Sequence, residues 1–311
     1  MKKILPIDEQ PDFREVHTSA YMLSILKTSN AFSNKWLLKN CIPIFFAEKF
    51  SHTISYAYHP LWFLKFFNSR ISFYYYRKDI IGKIKKYIDA KYYVILCVNE
   101  RYIPYRDAYN NKDFYHDILI YGYDDSDRMF YTIAYDDTGK YCSHEYSFNQ
   151  IEMAHRTHPD RFYKFYALKV NLNYNFDCFS VKELAKRINR YLKPLSNNKG
   201  INAYKSFRKE LIEAYELNYD DVDIRGFRLM MERTEALKLM SKYFTIDCSI
   251  QDDINALSQL TKSLFYLALK FNVTQNKEVL SSLIENYDKT VKFERDFFIK
   301  LLSSINDIRE K

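Results

Sequence analysis

Asp117-Ile-Leu-Ile-Tyr-Gly-Tyr123, then Asp124-Asp-Ser-Asp127, then Met129-Phe-Tyr-Thr-Ile-Ala-Tyr135 is the stretch whose reading decides the fold. Two runs rich in β-branched and aromatic residues flank a short polar connection, which is the pattern of an antiparallel hairpin. Working outward, Tyr92-Tyr-Val-Ile-Leu-Cys-Val98 reads as a buried strand. On the other side, Asp137-Thr-Gly139 turns the chain into a strand at residues 141–147, and a strand at 162–170 follows a short helix near 148–155. The segment from about Tyr92 to Val170 is therefore expected to be a sheet of antiparallel strands.

The period changes on both flanks of this segment. Residues 79–90 place Ile80, Ile84, Tyr87 and Ile88 on one helical face, and residues 17–28 read as a short, mostly buried helix. Residues 33–67 are aromatic-rich, are interrupted by Pro43 and Pro60, and read as irregular. Beyond residue 175 the pattern is helical almost to the end: Leu257, Leu260, Leu264, Leu267 and Phe271 recur at threes and fours, as do Leu280, Ile284, Tyr287 and Val291. Asn197-Asn-Lys-Gly200 reads as a break between helices. The expected organisation is an α+β domain over residues 1–172 and a helical region over 173–311.

Composition narrows the function classes. The chain of 311 residues carries 24 Phe and 29 Tyr but only 5 Gly, against the roughly 20 that average usage would supply. Neither G-x-G-x-x-G nor G-x-x-x-x-G-K occurs, so a glycine-built phosphate cradle is not expected. The net charge of +8 is spread along the chain, and basic runs such as Lys83-Ile-Lys-Lys86 read as a solvated helix face and not as a nucleic-acid footprint. Cysteines at 41, 97, 142, 178 and 248 form no C-x-x-C pair and no disulfide framework. No apolar run is long enough to span a membrane, and a cytoplasmic location is expected.

His116 carries the chemistry most open to use. It stands where a polar loop enters a strong strand, and an imidazole with a pKa near 6.5 there is placed for proton transfer at neutral pH. Asp136 and Asp137 end the next strand, where hairpin geometry would let a carboxylate orient that ring. The nucleophile stays open between Cys41 and the hydroxyls of Ser19 and Thr18, the latter two being also good helix-capping residues. Asp124, Asp125 and Asp127 lack the Gly and the terminal Glu of a calcium loop and read as a turn. His144, His155 and His158 are scattered, and neither a metal nor a resident cofactor is expected.

Val98-Asn-Glu-Arg-Tyr-Ile-Pro-Tyr105, followed by His116-Asp-Ile-Leu-Ile-Tyr-Gly-Tyr-Asp-Asp125 and a hairpin, resembles the N-terminal domain of butirosin biosynthesis protein H-like proteins. Asp223-Ile-Arg-Gly-Phe-Arg-Leu-Met-Met-Glu232 resembles a segment that often follows that domain in related proteins of antibiotic gene clusters. The resemblance covers about two-thirds of the chain. It implies a papain-like cysteine-peptidase fold with an antiparallel sheet and a helical C-terminal extension. It also implies transfer of an acyl or aminoacyl group from a carrier-protein phosphopantetheine thioester to an amine, through a Cys-His-Asp triad with His116 as base. The positive charge would suit an acidic acyl or peptidyl carrier protein. Two positions depart from the pattern. The family's cysteine opens the first helix, where this chain has His17-Thr18-Ser19, and the orienting acid falls on Ala134 or Asp136. The expectations are therefore an acyltransferase of secondary-metabolite or nonribosomal-peptide assembly, a degenerate accessory protein that binds a carrier protein or synthetase, or, third, a peptidase or amide hydrolase.

Overall fold

The computed structural model describes residues 1–14, 16–29, 32, 34–48, 52–56, 65–74, 79–157, 163–174 and 179–310, without the side chains of 71–74, 163, 164, 306, 309 and 310. His158 and Cys178 lie outside the described residues. In chain order the main elements are β1 (Lys2–Ile4), α1 (His17–Leu26), α2 (Lys35–Cys41), β2 (Ile44–Phe46), β3 (Ile54–Tyr56), β4 (Phe67–Tyr74), α3 (Ile80–Asp89), β5 (Tyr93–Asn99), β6 (Tyr115–Asp124), β7 (Met129–Tyr135), β8 (Tyr141–Ser147), α4 (Phe148–Arg156) and β9 (Tyr163–Val170). Helices α5 (Val181–Leu192), α6 (Ala203–Glu216), α7 (Ile224–Leu237), α8 (Met240–Tyr243), α9 (Cys248–Thr274) and α10 (Lys277–Ser303) follow. The chain is mixed α+β, with an antiparallel sheet and a helical C-terminal part.

The elements fall into two compact units. The first comprises Met1–Pro11, His17–Phe32 and Pro60–Tyr174; the second comprises Asp12–Val16, Ser33–His59 and Asn175–Lys311. The last crossing lies close to residue 172, and the chain crosses four times before it, the fourth at residue 60. The third and fourth bound Ser33–His59, most of the stretch read as irregular. It contains α2 and the short β2–β3 pair. Strands of three residues and a helix of about two turns are too short to display their periods, and Pro43 interrupts them, so the pattern is silent there.

In the first unit the sheet runs β4-β9-β5-β6-β7-β8, with β1 added to β6. Strand β6 is the spine: its first half pairs with β5, its second half with β1, and β7 lies along its other edge. A shift in register between Ile120 and Gly122 marks a bulge that bends the strand. Gly122 is required here, because a Cβ would lie 2.8 Å from the carbonyl oxygen of Lys3. Val94, Leu96, Val98, Ile118, Leu119, Ile120, Phe165 and Leu168 are buried in this sheet. Helix α3 packs on β5 and β6 through Ile80, Ile84 and Ile88, spaced at i, i+4 and i+8. Full burial of each such side chain contributes about 1.5–3 kcal/mol. Helix α4 starts with a capping box between Ser147 and Gln150 and packs beside α3.

In the second unit, α9 and α10 form a helical hairpin through Gln275, whose backbone is left-handed with φ 52°. Helix α7 lies along α9, and α5 and α6 pack on α10. At their centre Arg233 meets Glu294 at 2.9 Å, with both side chains 2% exposed. Tyr191 and Tyr204 donate to the same carboxylate. No helix among the described residues is long and apolar enough to cross a membrane.

Candidate functional site

The site is built on two element ends of the first unit. His116 is the second residue of β6, held opposite Val98 of β5, and His17 is the first residue of α1. Their ring centroids lie 4.3 Å apart. Helix α1 is tied to the strand where Tyr21 Oη donates to the Asp117 carbonyl at 2.7 Å. The Asp117 carboxylate lies 3.5 Å from His17 Nε2, and Phe114 stacks near His116 with centroids 6.0 Å apart.

The segment between β5 and β6 supplies the other half. Asn99 ends β5 and fastens the loop at both ends: its side chain donates to Asp113 and accepts from the amides of Arg101 and Phe114. This places Glu100 at the mouth of the strand, where its carboxylate accepts from Arg106 Nε at 2.7 Å and also from Arg106 Nη2. Both side chains are 5% exposed. Arg106 Nη2 also lies 3.2 Å from His116 Nδ1. A guanidinium has donors only, so Nδ1 must accept and the His116 proton resides on Nε2. The Asp117 carbonyl lies 3.3 Å from the same Nδ1 and would accept from it in the other tautomer.

Electrostatics keep His116 neutral. Burial pushes its pKa down to about 4, and the neighbouring His17 and Arg106 push the same way. Burial also raises the Glu100 carboxyl above its ordinary value, against the opposing pull of Arg106. His116 therefore presents an N–H donor from a neutral ring. Asp117 beside His17 Nε2 favours the proton on that nitrogen, which leaves the His17 lone pair on Nδ1.

The structure gathers some of the residues singled out by sequence and separates others. Continued three residues further, the β6–β7 register would set His116 against Asp136. The pairing stops at Leu119 and Ile133, however, and Asp136 is captured by its own turn. Its Oδ1 accepts from the Thr138 amide and hydroxyl and from the Lys140 amide, and its Oδ2 faces Cys142 Sγ at 3.5 Å. Among the described residues, the carboxylates beside His116 are those of Glu100 and Asp117. Cys41 belongs to the second unit, where its buried thiol faces the Leu38 carbonyl. Burial raises that thiol to about 12, so it is no thiolate at neutral pH. Helix α1 begins at His17, which places Thr18 and Ser19 inside its first turn, with Ser19 buried. His155 is buried on α4.

Glu100 lies within the Val98–Tyr105 motif but, like Arg106 and His17, was not read as a site residue. The only signal for His17 was its place at the head of the first helix. Among the described residues, one group has metal-ligating atoms close together: Asp136, Cys142 and His144.

No family model matches the chain, and no curated protein matches it.

Proposed function

We propose that the protein is a papain-like-fold acyl or aminoacyl transferase of secondary-metabolite assembly that works without an acyl-enzyme. The observation that carries this reading is the His17 ring, 4.3 Å from His116, at the head of the helix where the family resemblance calls for a cysteine. In place of a thiolate and its base, the site offers two imidazoles with complementary protons. His116 Nε2–H is a donor from a neutral ring and would polarise the thioester carbonyl, as an oxyanion-hole donor does. His17 Nδ1, with Asp117 behind Nε2, would act as general base.

The step balances on this chain's own groups. The acceptor amine attacks the thioester carbonyl carbon and loses its proton to His17 Nδ1. The C–S bond then breaks as the C–N bond is completed. The imidazolium returns its proton to the departing phosphopantetheine thiolate. Holding both reactants against the two rings supplies the remainder of the acceleration. The +8 net charge favours an acidic carrier protein as donor.

One observation favours a second reading. Arg106 occupies His116 Nδ1, which removes the lone pair that a triad base would use, so in this reading the site holds a carrier-bound group without turnover. Incubation of the full chain with an aminoacyl-loaded carrier protein and an amine, followed by intact-mass analysis, separates the readings. Direct transfer predicts amide product, an unmodified protein, and losses of about 10²–10⁴-fold in rate for His17→Gln and His116→Gln. An acyl adduct on a cysteine of the protein would overturn it. Carrier binding without product would assign the site to the second reading.

A further inference from the structure

Strand β8 carries a second group of reactive atoms whose arrangement differs in kind from the His17–His116 site. Cys142 and His144 are two residues apart on this strand, so both side chains project from the same face. Cys142 Sγ lies 3.3 Å from His144 Nε2 and 3.5 Å from Asp136 Oδ2, and all three atoms lie within 4.8 Å of one another. As a catalytic triad this order is wrong. The thiol sits between the imidazole and the carboxylate, and burial together with the Asp136 charge raises it above its ordinary value. A carboxylate beside a thiol disfavours the thiolate that nucleophilic attack requires.

The same geometry suits a cation. Tetrahedral zinc bound through S at about 2.3 Å and N or O at about 2.0–2.1 Å separates its donor atoms by roughly 3.3–3.6 Å. The two thiol distances fall at or near that range before any ion is added. The surrounding groups orient the donors as outer-shell partners do. Three hydrogen bonds from Thr138 and Lys140 occupy Asp136 Oδ1 and leave Oδ2 turned to the thiol. The His144 ring is stacked by Tyr105 at 5.3 Å and by Tyr146 at 5.8 Å, both within 16° of parallel. Tyr105 itself is held with φ 60° while its carbonyl accepts from the Asp137 amide.

We propose that Asp136, Cys142 and His144 form a three-ligand site for zinc or a similar borderline divalent cation, with a fourth position open to water or a substrate atom. The thiolate ligand excludes magnesium and calcium as the preferred ions. Binding releases the Cys142 proton to solvent. The site is independent of the His17–His116 reading, because none of its ligands is used there.

Titration of the metal-free full chain with Co²⁺ tests the proposal directly. One equivalent should bind, with the near-ultraviolet sulfur-to-cobalt charge-transfer absorption and intense visible bands of a tetrahedral ion, and Zn²⁺ should bleach both. Cys142→Ser should abolish the charge-transfer absorption, and His144→Gln should weaken binding by more than the roughly 10–100-fold lost with an outer-shell partner. Cys248→Ser, at an exposed thiol elsewhere, should change nothing. In the unaltered protein, Zn²⁺ should slow alkylation of Cys142 as followed by peptide mass. Absence of the charge-transfer absorption, its survival in Cys142→Ser, or alkylation of Cys142 indifferent to Zn²⁺ would each overturn the site.

Discussion

Each compact unit contains a buried Arg–Glu pair, and the two pairs are put to opposite uses. Arg233 and Glu294 in the second unit are 2% exposed, and Arg106 and Glu100 in the first are 5% exposed. Arg233 directs its nitrogens to Glu294, Tyr204 and the carbonyls of Cys41 and Ile42. Burial pulls the Arg233 guanidinium down, but Glu294 and Tyr204 outweigh it and hold it well above its ordinary value. That network closes on itself and joins α2, α5, α6, α7 and α10. Arg106 instead spends one donor on His116, whose side chain is 28% exposed. The lesson is that a buried ion pair by itself signals neither stability nor function; what its remaining hydrogen bonds touch decides between the two.

The comparison breaks most visibly in stability. Arg233→Ala leaves Glu294 buried without its cation and should cost about 3–5 kcal/mol in urea unfolding, whereas Arg233→Met with Glu294→Leu should recover most of the loss. A single-variant loss below about 1 kcal/mol would show that the network is not structural.

The pH dependence is next in size. Burial holds the His116 imidazole down to about 4 in the folded protein, against an ordinary value of 6.5. Between those values the unfolded chain binds the extra proton, so stability is fully present above pH 6.5 and falls as pH drops toward 4. The contribution is at most about 3 kcal/mol. His116→Gln should flatten the stability profile over that window, and an unchanged slope would place the ring in a solvent-like environment.

A smaller effect sharpens the site itself. Arg106→Met leaves Glu100 short of its partner and should cost about 1–3 kcal/mol. It should also move the His116 titration upward from about 4, read by NMR, because Arg106 is one of the charges that lower it. A downward move would contradict the assigned tautomer. The smallest effect is that of His116→Gln at neutral pH, about 1 kcal/mol or less in unfolding, while transfer activity falls by the larger factor given above. A large stability loss would place His116 with the structural network instead.

Sequence reading worked where the chain is long and periodic. β7 and β8 run over the residues that the alternation and turn chemistry indicated, Met129–Tyr135 and Tyr141–Ser147. The three isoleucines of α3 are buried as their spacing implied. Reading failed at the three-residue strands β1, β2 and β3 and at α2, a helix of about two turns, which are too short for their own period and form only against a distant partner. The candidate site divides in the same way. His116 was legible because a strong strand fixes its place, whereas Glu100, though inside the quoted motif at the end of β5, carried no sign of a role at the site. Arg106 was not legible either, since a basic residue in a polar loop looks solvated until the fold buries it.

The sequence by itself determined the alternating strands, the long amphipathic helices, the shortage of glycine and the histidine at the head of β6, because each is a local property of composition or period. Only the tertiary structure decided which partners those residues meet. It stopped the β6–β7 pairing before Asp136 could reach His116, turned that carboxylate toward Cys142, and set His17 against His116 by docking α1 on the strand. Those outcomes depend on where non-local hydrogen bonds end and on which charges are desolvated together, and neither is written in any single stretch of the chain.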